Sequence, residues 1–135
     1  MENNNIFYRV DSKNLGILII KPISKNLAKQ LTIENHYSHK WNDGLFGKIN
    51  IGIFRENSDK CLGVAVFGYM MNPSSYKNFG VDSTDEILEL NRMWIDDELG
   101  KNAETILISK SFKIIKQLMP YVKLVQSFAD GRLGC

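Results

Sequence analysis

Apolar and polar residues alternate with the period of a strand in several short stretches and with the period of a helix in two longer ones. Phe7 to Val10 and Leu15 to Ile20 read as two strands around the turn Asp11-Ser12-Lys13-Asn14. Ser24 stands where a helix N-cap belongs, and Leu27, Leu31 and Asn35 fall on one face of the helix behind it, with Ala28 alongside. Asn42-Asp43-Gly44 breaks the pattern. Phe46 to Phe54 then alternates, with Ile49, Ile51 and Ile53 on one face. After the turn Glu56 to Lys60, Cys61 to Met71 is apolar on both faces, as befits a central, doubly covered strand, and pairs with its predecessor as an antiparallel hairpin. Ile87 to Ile95 is a strand with polar intrusions: strict alternation puts Leu88, Leu90, Arg92 and Trp94 on one face, and Ile87, Glu89, Asn91, Met93 and Ile95 on the other. A helix runs from near Asn102 to just before Pro120, with Ile108, Phe112, Ile115 and Met119 as its buried stripe, and Val122 to Ala129 is a last strand.

The order is β-β-α-β-β-β-α-β, which predicts an α/β (α+β) domain with a mixed, mostly antiparallel central sheet flanked by helices. Residues 1–135 suit a single domain. The segment Asn72 to Asp85 is a long loop for so small a domain, and long loops tend to be functional or disordered. The chain stops just after a strand and a turn, and that last strand would lie near a sheet edge without cover. The expectation is a domain lacking its C-terminal part, with a second copy (a homodimer) or a complementing C-terminal fragment as the partner at that edge.

Composition narrows the picture only modestly. With 44% hydrophobic and 24% charged residues the chain is ordinary for a soluble domain, and a net charge of +2 does not by itself argue for nucleic acid. The distribution says more. Asp82 to Glu104 holds eight acids against Arg92 and Lys101, whereas Lys110, Lys113, Lys116, Lys123 and Arg132 face Asp130 alone from Lys110 to the end. These are either solvated helix faces or a basic rim beside an acidic pocket, which would suit an enzyme handling a polyanion. Cys61 and Cys135 have no metal or redox spacing, the N-terminus lacks a signal-peptide pattern, and no apolar run reaches membrane-spanning length. A reducing, cytoplasmic location without membrane contact is the expectation.

Four places carry candidate chemistry. Glu89, Asn91 and Arg92 lie in a strand that should be buried, where unpaired charge is costly. They form an internal ion pair, mark an exposed edge, or line a site at an irregularity; a bulge would be needed to bring Glu89 and Arg92 to one face. His36 and His39 share a helix face next to Tyr37, as proton-transfer groups or as a polar helix end with a packed tyrosine. A metal held by the histidines with Asp96 or Asp97 has no supporting spacing. At the start of the second helix, Lys101, Asn102 and Thr105 either surround an anion or simply cap the helix. Asp130 ends the last strand, as a ligand-side carboxylate or a turn-forming Asp-Gly.

Three stretches together resemble a known family: Asn35-His36-Tyr37-Ser38-His39-Lys40, then Leu88-Glu89-Leu90-Asn91-Arg92-Met93-Trp94-Ile95 on through Thr105, and Ser127-Phe128-Ala129-Asp130. With Gly63 to Gly68 between them they are similar to the Mom family of phage DNA-modification proteins, over nearly the whole chain. The resemblance implies a divergent acyltransferase fold of the GNAT type and the addition of a carbamoylmethyl group to the exocyclic amine of adenine in DNA, protecting phage DNA from restriction. It places the family's arginine on Arg92, its aspartate on Asp130, a hydroxyl on Thr105 and the His-Tyr motif on His36 and Tyr37. The family continues past this point with another helix and strands. The glycine-rich pyrophosphate turn of ordinary GNAT enzymes is missing, since Glu98-Leu99-Gly100-Lys101-Asn102 has one glycine.

Chemistry consistent with that resemblance needs a base, because the adenine amine is a poor nucleophile. Asp130 would be the base or orient it, Arg92 would orient the donor or stabilise developing charge, and His36 and Tyr37 would relay the proton. Acetyl-CoA or another acyl donor would run along the backbone of Met93, Trp94 and Ile95, its phosphates near Lys101, Asn102 and Thr105. DNA is the expected partner, with the base flipped out and the Asn72–Asp85 loop holding the displaced strand. Two other readings remain: an N-acetyltransferase for a small amine or a protein, and a non-catalytic binding module.

Overall fold

The computed structural model describes residues 6–35, 41–70, 77–100 and 102–127. Six strands form one sheet in sequential order: β1 (Tyr8–Ser12), β2 (Gly16–Pro22), β3 (Ile49–Arg55), β4 (Cys61–Gly68), β5 (Ile87–Ile95) and β6 (Leu124–Ser127). Helix α1 (Lys25–Asn35) joins β2 to β3, and α2 (Asn102–Leu118) joins β5 to β6. Every neighbouring pair is antiparallel except β5 with β6, which a helix connection makes parallel. The α+β class and the order of elements are as the pattern predicts. Among the described residues no helix is long and apolar enough to cross a membrane.

The sheet separates two apolar layers. The larger joins α2 (Ala103, Leu107, Ile114, Ile115) to one face of the sheet (Leu18, Ile20, Ile51, Ala65, Phe67 and others). The smaller lies under α1 and contains Ala28, Phe46, Val64 and Val66, with Trp41 and Trp94 against it. All eight residues of β4 are buried, which is why that stretch reads as apolar on both faces. Ser24 caps α1, its Oγ accepting a hydrogen bond from the Leu27 amide at 3.1 Å.

Several boundaries differ from the sequence expectation. Phe46 to Lys48 are not strand. The Phe46 amide turns back to the Asn42 carbonyl at 2.8 Å, and Gly47 adopts φ +82°, a left-handed value that ends any extended run. β4 stops at Gly68 rather than Met71, and the β1–β2 turn follows Ser12 rather than Val10. β6 spans Leu124–Ser127; residues 128–135 lie outside the described residues. On α1 the buried positions are Ala28 and Thr32, whereas Asn35 is exposed and returns a hydrogen bond to the Leu31 carbonyl. On α2 the stripe is rotated: Ser111 is fully buried and Phe112 is 45% exposed. The helix is apolar around more than one face, so periodicity alone does not choose between them.

Candidate active site at the β5 bulge

β5 matches β4 residue for residue from Ile95 back to Arg92, which pairs with Val66; the next pair is Leu90 with Phe67. Asn91 is therefore an extra residue, a bulge in the strand next to the β6 edge. The slip overturns the strict alternation expected for this strand. Leu88 and Leu90 face α2, yet Arg92 and Trp94 lie opposite Val66 and Val64 on the α1 side. Glu89 pairs with Gly68 and joins that side, while Met93 and Ile95 pack against the α2 core. The bulge thus brings Glu89 and Arg92 to one face, as regular pleating forbids. Glu89 is 4% and Asn91 6% exposed, and Arg92 is half-buried.

A folded-back loop supports the bulge from below. The guanidinium of Arg92 lies over the Phe46 ring, 4.7 Å from its centroid, and donates through Nη1 to the Asn91 carbonyl at 2.7 Å. Phe46 is 3% exposed, and Trp41 packs edge-on against it with centroids 5.5 Å apart. The loop is fastened to β4 where the Tyr69 amide donates to the Leu45 carbonyl at 2.8 Å. Asn91 closes the arrangement by donating from Nδ2 to the Tyr69 carbonyl at 3.2 Å. Gly68 is essential to this fit. A Cβ there would stand 2.1 Å from the Leu45 oxygen and 2.5 Å from Asn91 Oδ1, so only glycine lets loop and bulge meet.

Tyr69 is also held by its side chain. Its hydroxyl donates to Asp85 Oδ1 at 2.8 Å and accepts from Lys48 Nζ at 3.0 Å. The hydrogen bond from Tyr69, reinforced by Lys48, holds the Asp85 carboxyl below its ordinary value. Burial works to lower the Lys48 pKa, but Tyr69, Tyr121 and Asp85 together outweigh it, and the net shift is upward. The network ties the end of β4 to the 3-10 turn Thr84–Glu86 ahead of β5.

Of the other residues singled out in the sequence, Trp94 and Ile95 are half-buried on opposite faces at the end of β5. Asn102 begins α2 and is exposed, as is Thr105 one turn in. Gly100, at φ +72°, makes the turn into the helix, and Asp96 Oδ1 accepts from the Glu98 amide at 3.0 Å. Arg55 reaches Glu98 at 3.0 Å, so one of the three acids at this corner is already paired. The described part of β6 pairs with Ile87 to Leu90 only; among the described residues, Asn91 to Ile95 have no strand partner on that side. His36, Tyr37, Lys101 and Asp130 lie outside the described residues, as does part of the Asn72–Asp85 loop.

Sequence reasoning missed Phe46, Asn50 and Gln126. Asn50 pairs with Val66 and is 5% exposed, with Nδ2 donating to the Gly47 carbonyl at 3.1 Å. Gln126 pairs with Glu89 across the β5–β6 ladder. The available signal was an amide interrupting an apolar strand at each of two positions; Phe46 carried none, because its alternation with its neighbours fits a strand.

A sequence model of the Mom protein family matches residues 17–135. The methylcarbamoylase mom of Escherichia phage Mu is 35% identical over 118 residues, which cover 87% of this chain and 47% of that relative. The chain therefore spans about half the length of the curated relative it matches.

Proposed function

The chain belongs to the Mom protein family, and from that membership we propose that it serves a phage DNA-modification enzyme that adds a carbamoylmethyl group to the exocyclic amine of adenine, protecting the DNA from restriction. The observation that carries the reading is the Asn91 bulge, which presents Arg92 on an aromatic platform beside buried Glu89. A cation fixed in place is what stabilises negative charge as it develops during group transfer.

The residues present fit an acyl donor in one respect and resist it in another. The backbone of Met93 to Ile95 offers hydrogen-bonding groups on the side away from β4, where a donor carrying amides could lie as a strand does. Asn102, Thr105 and the first amides of α2 would hold its anionic end. Asp96 and Asp97 beside them limit how closely phosphates approach. The donor, with acetyl-CoA and other acyl donors as the candidates on a fold of GNAT type, would be attacked by the adenine amine as its leaving group departs. An acyl carbon gives an N-acyl product, so the carbamoylmethyl product requires a donor that presents its methylene carbon to the amine. Arg92 would orient the donor while Nη1 stays on the Asn91 carbonyl. Asp130, with His36 and Tyr37, would take the proton that leaves the adenine amine as the N–C bond forms. The base must leave the helix stack to reach this face.

Mass spectrometry of nucleosides from cells producing the chain, alone and at full family length, tests the reading. A new adenine adduct that disappears in Arg92→Ala is the expected result. An adduct undiminished in that variant removes Arg92 from the chemistry, and no adduct in either form removes DNA modification.

A further inference from the structure

Buried polar atoms without partners are concentrated in one layer of this fold. Thr32 Oγ1, Trp41 Nε1, Asn50 Oδ1, Asn91 Oδ1 and Gln126 Oε1 are all buried and make no hydrogen bond. All five lie on the α1 side of the sheet, as the cluster under α1, the pairing of Asn50 with Val66, and the row Gly68–Glu89–Gln126 establish. Among the other described residues, the α2 layer contributes Ser111 Oγ, and Thr84 Oγ1 lies in the 3-10 turn ahead of β5. Three of the five are amide oxygens, against one indole N–H donor and one hydroxyl, so acceptors outnumber donors in the layer. A ligand donating N–H groups would relieve that deficit.

Two of the three amides are already committed. Asn91 gives Nδ2 to the Tyr69 carbonyl, and its oxygen is walled in by Gly68 and the Leu45 carbonyl. Asn50 gives Nδ2 to Gly47 and braces the same loop. Gln126 differs from both. It stands on the edge strand β6, is half-buried as a residue although its Oε1 is itself covered, and is next to Glu89 across a ladder whose strands lie ~4.8 Å apart. Its carbonyl oxygen points inward on the face that carries Arg92.

We propose that Gln126 reads the amine-bearing edge of the target adenine. A primary amide matches that edge with two hydrogen bonds: its oxygen accepts from the exocyclic amine, and its nitrogen donates to the adjacent ring nitrogen. The assignment rests on the adenine reading above and adds a specificity-determining residue to it. With Gln126 holding the amine edge, Glu89 borders the base on one side and Arg92 lies toward the donor.

Fluorescence anisotropy with short single-stranded DNA tests this, comparing a strand that carries one adenine with the same strand carrying hypoxanthine, whose six-position is an oxygen. The wild-type chain is expected to prefer adenine by roughly 5- to 150-fold, the range of one good bidentate base contact. Gln126→Leu should bring that ratio close to one without lowering the thermal midpoint, because it removes an unpaired buried oxygen. Gln126→Met keeps the length and loses both the acceptor and the donor, and serves as the second variant if leucine perturbs folding; it too should lose the preference. A preference retained by a folded variant overturns the Gln126 assignment and leaves adenine modification standing. No preference in the wild-type chain overturns both. A lower total affinity with the ratio preserved assigns Gln126 a purely structural role.

Discussion

Replacing Gly68 by alanine tests whether the bulge and the loop beneath it form one rigid unit. The added methyl would lie 2.1 Å from the Leu45 carbonyl oxygen and 3.1 Å from the Gly47 nitrogen. An unstrained carbon–oxygen contact is ~3.2–3.5 Å, so Leu45 or β4 must give way by about 1 Å. Leu45 cannot move freely, because its carbonyl holds the Tyr69 amide at 2.8 Å. Overpacking of this kind costs about 1–3 kcal/mol. Losing the backbone hydrogen bond adds roughly 0.5–1.5 kcal/mol. The sum, about 3 kcal/mol, corresponds to a fall in thermal midpoint of roughly 10 °C for a chain of this size. Circular dichroism melting of Gly68→Ala beside Gly44→Ala provides the measurement. At Gly44 the nearest atom to an added Cβ is Asn42 Oδ1 at 3.5 Å, an ordinary contact, so that variant should melt close to wild type. A Gly68→Ala protein that melts within about half a kcal/mol of wild type, the scatter of an ordinary surface substitution, would refute the close seating of loop on bulge.

Phe46→Leu removes the ring beneath Arg92 and with it about 0.5–2 kcal/mol of cation–π attraction; the adduct yield per folded protein should fall, and an unchanged yield would separate the platform from the chemistry. Ser24→Ala deletes the α1 cap and should cost about 1 kcal/mol in denaturant unfolding, whereas no loss would show that the Leu27 amide finds another partner. Tyr69→Phe should lower the melting temperature at neutral pH. Asp85 has a depressed pKa in the folded state, so its stabilisation exists above the ordinary carboxylate range and is lost as pH falls through the folded value. Lys48 is raised, so its share is complete below the ordinary lysine value and is lost as pH climbs through the folded one. The gap between wild type and Tyr69→Phe should therefore narrow toward both extremes, and a gap independent of pH would remove the charged network as its cause.

Much of the architecture was legible because period and punctuation agree. Ile87–Ile95 and the start of α2 at Asn102 fall where the pattern places them, since Gly100 ends the loop and the polar corner Asp96 to Glu98 cannot continue a buried strand. The polar intrusions in β5 also signalled an irregularity. What they did not disclose is which residue is extra. Moving the bulge by one position reassigns the faces of every residue beyond it, and the choice of Asn91 is made by Gly68 and Leu45, distant in sequence. Phe46 was unreadable for a related reason. Its alternation with its neighbours fits a strand, and only the backbone turn at Gly47 takes it out of the sheet and under Arg92. On α2, Phe112 outranks Ser111 in hydrophobicity, yet Ser111 is buried in the layer against the sheet and the larger ring is outside.

The same dependence explains why polar residues persist within β5. An apolar side chain at Asn91 could not hold the Tyr69 carbonyl, and without that bond the slip between Val66 and Phe67 loses its brace on the β5 side. Regular pairing would then return Arg92 to the α2 face, into the layer of Leu107 and Ile114, where no aromatic platform waits and an unpaired cation is costly. Asn91 is thus bound to Arg92 through geometry rather than through direct recognition of a ligand. The prediction that separates the two roles is a comparison of Asn91→Ala with Arg92→Ala. If the bulge exists to present the arginine, Asn91→Ala should lose stability and adduct formation together, while Arg92→Ala loses the adduct and keeps the fold.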